Sequence, residues 1–406
     1  MRITKGTAAA IGFSLGVLLS AAIVVLFAVL AQFIAPDIVP ESVPSSAPEI
    51  SASEPSEDPA PSAPEESEPD LSEPAESAVY EGALELPIEG ATGYAAAAIG
   101  MYAEPSGEGE LLATLAPGQA FVICGERGGW WQVRMDGLTG WVQHDYCLIN
   151  LPDVIPSIVY RNTNASASLF RSSGREIPGI TGQALYDASS YNARFGYETC
   201  NMAVLYATAK KLANAQDRAL ADGYTLVLYE GFRPYETQIA VAQSLSALAE
   251  TEETVRSGIT SEPWSINWFI ATGVSTHQQG CAVDVSLARV TAAEQETCGP
   301  YVYTRVTGCE ELEMPTAMHE LSSAAASLTQ PVASTNLTAW QEVLPAPAMT
   351  EAALALRGYC TAAGLTPLAS EWWHFNDLDR LVVADESWRG EFTLAENLSE
   401  AIAVSE

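Results

Sequence analysis

Residues 275–284 read S-T-H-Q-Q-G-C-A-V-D, and residues 371–374 read E-W-W-H. The first stretch continues into Val285-Ser286-Leu287, so that Cys281 to Leu287 has the period of two expected of a strand. Alternation puts Cys281, Val283, Val285 and Leu287 on one apolar face, which goes to the core. The other face carries Ala282, Asp284 and Ser286, a shallow floor from which one carboxylate projects. His277 lies just upstream in a polar loop, and Gly280 lets the backbone turn to bring it over that floor. In E-W-W-H, Glu371 and His374 are three apart, and a regular strand would point them to opposite sides. Serving one site therefore requires a bend or bulge. Taken alone, E-W-W-H also reads as an aromatic core strand. The chain has 4 histidines, and two of them lie in these two segments. Two imidazoles, an Asp and a spare Glu are what a catalytic zinc site requires: three ligands, an open position for water and a general base.

Working outward, helical and strand patterns mix from Pro152 to Glu406. Met202, Leu205, Tyr206, Ala209 and Leu212 recur at helical spacing and predict a helix over 198–222, closed by Asp222-Gly223. Tyr224–Tyr229 reads as a buried strand, 235–251 as a helix and 349–363 as another. Strands and helices without regular alternation predict an α+β domain, a mixed or antiparallel sheet with flanking helices, over 152–406. The texture differs from Gly93 to Leu151. Leu111–Leu115, Ala120–Cys124, Trp130–Val133 and Gly140–Val142 are short apolar runs with closely spaced turns, which predicts a small all-β barrel. Two of its three tryptophans, Trp130, Trp131 and Trp141, are expected in the core, and His144 at the surface.

The residues now support two resemblances. G-W-W-Q-V-R-M-D-G-L-T-G-W-V (129–142) resembles the bacterial SH3-like domain, which implies a binding module over 91–151 directed at cell wall. S-x-H-x-x-G-x-A-x-D followed by E-W-W-H resembles the zinc D-alanyl-D-alanine peptidases of the VanX and VanY types. Ser275, His277, Gly280, Ala282, Asp284, Glu371 and His374 meet every defined position. Y-E-G-F-R-P (229–234) resembles the family's Y-R-P segment. The resemblance implies that His277, Asp284 and His374 hold one Zn²⁺, that Glu371 is the general base and that Arg233 and the metal stabilise the oxyanion. It implies a peptidoglycan stem peptide or D-Ala-D-Ala as substrate, with Ser275 at the substrate. VanX-type enzymes grip the dipeptide amine with an Asp. M-P-T-A-M-H-E-L (314–321) places His319 near that position, with Glu320 adjacent, so both are expected at the substrate. His319 as a fourth metal ligand is the alternative. Rival readings are a wall-binding protein without activity and a peptidoglycan endopeptidase.

Charge and hydropathy organise the N-terminal part. The net charge is −33, and no Lys or Arg occurs between Lys5 and Arg127, which argues against nucleic acid as a partner. From Asp37 to Glu89 there are 15 acidic residues among Pro, Ser and Ala, predicting a disordered stalk over 37–90. Arg2 and Lys5 precede an apolar run from about Ala8 to Ile34, within residues 1–36. Its length and flanking charge predict a single membrane-spanning helix, with the rest of the chain outside the cell. The alternative is a cleaved signal peptide with a small-residue site at Val29-Leu30-Ala31, and hence a secreted protein. None of the 7 cysteines forms C-x-x-C. Cys124 with Cys147, and Cys298 with Cys309, are possible pairs in an exported chain, as are free buried thiols.

Overall fold

A computed structural model of the protein describes residues 78–80, 82–381, 388–394 and 396–403. Glu73–Glu406 forms one compact unit, and Met1–Ser72 lies outside the described residues. Among the described residues no helix is long and apolar enough to cross a membrane. The segment on which a spanning helix was expected lies outside them, as does the expected stalk up to residue 77. Beyond that point the chain is already in the fold. Strand β1 is Ala78–Val79, and Leu84, Leu86 and Ile88 are buried. Three apolar residues at alternate positions find a core to enter.

The barrel comprises β2 (Thr92–Ala95), β3 (Ile99–Tyr102), β4 (Leu111–Leu115), β5 (Ala120–Arg127), β6 (Trp130–Met135), β7 (Leu138–Gln143) and β8 (Cys147–Asn150). Trp131 is fully buried with Phe121, Ile123 and Val133. Trp130 and Trp141 are only half-buried, so one tryptophan fills the core rather than the expected two. Strands β6 and β7 turn alternate residues inward: Trp131 and its cross-strand partner Val142 face the core, so Trp130 and Trp141, each one position away along its strand, take the other face.

Beyond the barrel come β9 (Val159–Tyr160), two short hairpins, β10–β11 (Arg171–Ser172 and Arg175–Glu176) and β12–β13 (Ser189–Asn192 and Tyr197–Cys200), and β14 (Ala203–Leu205). Helix α1 (Tyr206–Ala221) leads to β15 (Tyr224–Glu230), and helices α2 (Tyr235–Thr251) and α3 (Glu253–Thr260) follow. The long hairpin β16 (Ala282–Cys298) and β17 (Tyr301–Glu311), helix α4 (Glu351–Ala362), β18 (Thr366–Pro367) and β19 (His374–Asn376) complete the chain. The fold is mixed α+β, with largely antiparallel sheets and four helices among the described residues. One sheet runs β1-β17-β16-β15-β9, with β19 paired to β16 and β18 to β19. The other runs β14-β8-β2-β5-β6-β7-β3-β4.

Helix α1 starts eight residues later than its periodicity predicts. Tyr197–Cys200 and Ala203–Leu205 are strands, because the edge of β8 offers unpaired backbone groups and β14 takes them: Ala203 lies opposite Asn150 and Leu205 opposite Leu148. The boundary expected at 151/152 thus falls inside a continuous sheet. The two parts also share a core that runs from Phe121 and Trp131 to Leu226 and Val285. His144 joins this junction instead of lying free at the surface. Its ring packs against Trp131 and Tyr206 at 5.7 and 5.2 Å between centroids.

All seven cysteines are free thiols. Strands β5 and β8 flank β2 on opposite sides, and the register offsets Cys124 from Cys147 along the strands as well, so the two are more than two strand spacings, roughly 9–10 Å, apart and beyond disulfide reach. In the hairpin Cys298 lies opposite Tyr301 and Cys309 opposite Val290. Eight strand positions put those two roughly 26 Å apart.

Candidate metal centre

Strand register assembles the site. Asp284 on β16 lies opposite His374 on β19 and, on its other side, opposite Glu230 on β15. Directly opposed residues project on the same face within side-chain reach. A bulge at Tyr229 shifts the β15 register just before Glu230, which turns that carboxylate toward Asp284. Glu371 is not in a strand. It precedes a turn at Trp372-Trp373, and β19 begins only at His374. The turn supplies the bend that the three-residue spacing demanded and leaves Glu371 Oε2 3.8 Å from His374 Nδ1.

His277 Nε2 and His374 Nδ1 are 3.1 Å apart, and Asp284 Oδ1 is 3.1 Å from the latter and 3.3 Å from the former. The opposite ring nitrogens fix the tautomers. His277 Nδ1–H donates to the Gly231 carbonyl at 2.7 Å, and His374 Nε2–H donates to Asn376 Oδ1 at 2.9 Å. Both inward nitrogens therefore present lone pairs. With both rings neutral, three acceptors face one another at this distance and repel unless a proton or a metal ion stands between them. A tetrahedral ion with bonds of about 2.0–2.1 Å separates its ligand atoms by about 3.3–3.4 Å. The donor set fits such a divalent ion.

Backbone contacts hold both loops. A Cβ at Gly231 would meet the Ala203 carbonyl at 2.8 Å, so only glycine lets that segment close on β14. Phe232 N–H donates to the same carbonyl at 2.9 Å. In the His277 loop, Leu205 N–H donates to the Gly280 carbonyl at 2.9 Å, and Gln278 Nε2 donates to the Arg233 carbonyl at 2.9 Å.

Charge is concentrated at the floor. Burial disfavours ionised Asp284, but His277, His319 and His374 outweigh it and hold its carboxyl well below the ordinary value. Burial pushes the His277 imidazole down, toward the neutral form that binds metals. Burial acts the same way on His374, but the hydrogen bond and charge of Asp284 prevail and raise it. Burial pushes Glu371 up to about 8, against the opposing pull of His374 and with a further rise from Asp284.

Arg233 is buried and nearly fully engaged. Its Nε donates to Glu230 Oε2 at 2.7 Å, Nη1 to Gln238 Oε1 at 2.7 Å and Nη2 to Asp284 Oδ2 at 3.0 Å, with Glu230 also paired to Nη2. Five N–H bonds are available, so one on Nη1 remains.

A cleft of about 700 Å³ opens over the centre. Arg233, Ser275, His277, Glu371 and His374 line it, with Trp268, Phe269 and Leu368 as apolar walls. Ser275 Oγ is buried without a partner. His319 and Glu320, expected at the substrate, are not among the lining residues. His319 sits behind Asp284, fully buried, with Nε2 3.1 Å from Oδ2. Glu320 accepts the Ser173 and Gly174 backbone N–H groups and the Ser322 hydroxyl. That carboxylate closes the β10–β11 turn. The floor is therefore covered rather than open on that side. Sequence reading missed Glu230, Gln238 and Asn376. The two-residue spacing of His374 and Asn376 on one strand face is the signal that would have found the last.

On the barrel, Trp130 and Trp141 line a separate concavity of about 690 Å³ with Arg127 and Glu104.

Comparison with known proteins gives two findings. Residues 90–147 match the bacterial SH3 domain family. Among solved structures, the chain is similar to VanYB in complex with D-alanine-D-alanine, at 20% sequence identity and a TM-score of 0.18. The match covers 29% of this chain and 59% of that one, under two thirds of its length. No curated protein matches the chain.

Proposed function

We propose that the protein is an extracytoplasmic zinc D,D-peptidase that removes the terminal D-Ala from peptidoglycan stem peptides ending in D-Ala-D-Ala. One observation carries this reading: three metal-binding acceptors converge within 3.1–3.3 Å, with a fourth, non-ligating carboxylate beside them at the base of a cleft. His277, Asp284 and His374 would hold one Zn²⁺, which supplies Lewis acidity and acidifies a coordinated water. Glu371 takes the proton of the attacking water and returns it to the leaving amine nitrogen. The remaining Nη1 N–H of Arg233 is available to the developing oxyanion. Ser275 Oγ, partnerless in the cleft, is placed to bind the peptide.

A carboxypeptidase is favoured over a D-Ala-D-Ala dipeptidase by the cleft's charge. Among the described lining residues Glu371 is the only carboxylate, and a free dipeptide amine would need a second. In this reading residues 8–34 hold the chain to the membrane, the acidic segment after them spaces it outward, and Trp130 and Trp141 contact the wall.

Product analysis tests the reading. The purified protein is given D-Ala-D-Ala and a pentapeptide ending in D-Ala-D-Ala, each with and without chelator. Release of one D-Ala from the pentapeptide, abolished by chelator and restored by zinc, is the expected result. Cleavage of the dipeptide alone makes it a dipeptidase. Muropeptides released from intact sacculi, with no free D-Ala, make it an endopeptidase. No cleavage and no zinc make it a binding protein. His374→Ala removes one of the three ligands and should lose both zinc and turnover, read by metal content and D-Ala release.

A further inference from the structure

The four carboxylate contacts of Asp284 divide by oxygen. Oδ1 faces His277 and His374, whereas Oδ2 faces Arg233 Nη2 at 3.0 Å and His319 Nε2 at 3.1 Å. We propose that His319 is a positioning residue for the metal: its Nε2–H holds Asp284 Oδ2 outward, so that Oδ1 alone is presented to the ion. This rests on the zinc reading above.

The ring is held for that one bond. It stacks on Phe170 at 4.4 Å between centroids with 17° between planes, and Tyr229 and Trp373 meet it edge-on at 6.5 and 6.1 Å. Nδ1 is buried without a hydrogen-bond partner in the protein, so Asp284 is the ring's one polar contact. His319 also has φ of 61°, in the left-handed region. Among the described residues the other non-glycine positions there, Asp136 and Ser173, sit in hairpin turns, where that conformation is routine. His319 lies in a turn at Met318-His319, a conformation that His adopts more readily than most residues, and its ring is fully buried there against Asp284.

Glu230, Asp284 and His319 also converge closely enough to suggest a second ion. The Arg233 guanidinium already stands between the two carboxylates. Its charge does what a second ion would do, and His319 is left as donor to a carboxylate. Outer partners of this kind fix ligand orientation, and their loss typically costs about 10–100-fold in metal affinity or activity.

The test compares wild type, His319→Phe and His319→Gln in the full chain. Phe keeps the stack on Phe170 but has no donor; Gln places an amide N–H near the position of Nε2. Zinc affinity is measured by chelator competition, kcat and KM on the pentapeptide, and melting in chelator. His319→Phe should weaken zinc binding about 10–100-fold and lower kcat with KM little changed, while the metal-free melt stays near wild type. His319→Gln should recover most of the affinity. If Phe does not fold, His319→Asn replaces it: Asn tolerates the left-handed backbone and is too short to reach Asp284, so the same loss of affinity is expected. Wild-type zinc affinity in the variant that lacks the donor, a Gln variant as weak as it, or two zinc ions per wild-type chain each overturns the proposal. A wild-type chain that binds no zinc sinks the peptidase reading itself. Wild type that binds zinc beside variants that bind it equally sinks only the role of His319.

Discussion

Glu371→Gln lowers kcat by about two to four orders of magnitude, the range for loss of a general base, while the protein still takes up one zinc ion per chain. The amide keeps the size of the carboxylate but cannot accept the proton. Metal should be retained because Glu371 is outside the mutually close set. Its Oε2 stands 3.8 Å from His374 Nδ1, whereas the ligand atoms are 3.1–3.3 Å apart. Metal content and single-turnover release of D-Ala check both halves. A Glu371→Gln protein without zinc would make Glu371 a ligand and remove the base from the mechanism.

The same substitution has a signature in stability. Burial of Glu371, opposed by His374, raises its pKa from 4.5 to about 8 in the protein alone. A folded-state value above the unfolded one means that the fold prefers the neutral acid. Its contribution to stability is complete below pH 4.5 and is lost as pH rises through about 8. Gln cannot ionise. In chelator, Glu371→Gln should therefore melt with wild type at pH 4 and above it at pH 9. Added zinc brings a positive charge that favours the carboxylate, so the gap at pH 9 should narrow. Equal melts of the two metal-free proteins at pH 9 would contradict the burial of Glu371 as a charge.

Much of the centre was legible because strand alternation is local. The period of two from Cys281 to Leu287 places Asp284 on the face away from the core, and the three-residue gap in E-W-W-H demands the turn found at Trp372-Trp373. What was not legible is non-local. No local rule pairs Asp284 with His374 across the ladder, or delays the start of the predicted helix to 206 because β14 completes the barrel's edge. His319 was misplaced for a different reason. Motif spacing counts residues along the chain, but a left-handed φ at His319 redirects its side chain, and it meets the back of Asp284 rather than the cleft. The tryptophans show the limit of composition. Trp130 and Trp131 are adjacent, and pleating alone requires that they part.

Gly280→Ala tests whether the barrel is part of the catalytic scaffold or merely attached to it. Gly280 has φ of 70°, and an added Cβ would lie 2.4 Å from Leu148 Cδ2 on β8 and 3.2 Å from Leu205 N on β14. The left-handed backbone costs a β-carbon about 1–2 kcal/mol, and overpacking typically adds about 1–3 kcal/mol. We expect a loss of roughly 2–5 kcal/mol in urea unfolding. The strain should not stay local. Gly280 N–H donates to the His277 carbonyl at 3.1 Å, and its own carbonyl accepts from Leu205, so displacement of this residue moves the loop that carries a ligand. Zinc affinity should fall along with stability. Leu148→Ala supplies the control, because it removes the barrel atom that the new methyl would strike. The double variant should be less destabilised than the sum of the singles, a coupling of about 0.5–3 kcal/mol. A barrel that served only to bind wall would have no reason to show that coupling in the metal affinity of a residue on another sheet. Additive effects of the two substitutions on zinc binding would mean that β8 and the His277 loop touch without supporting one another.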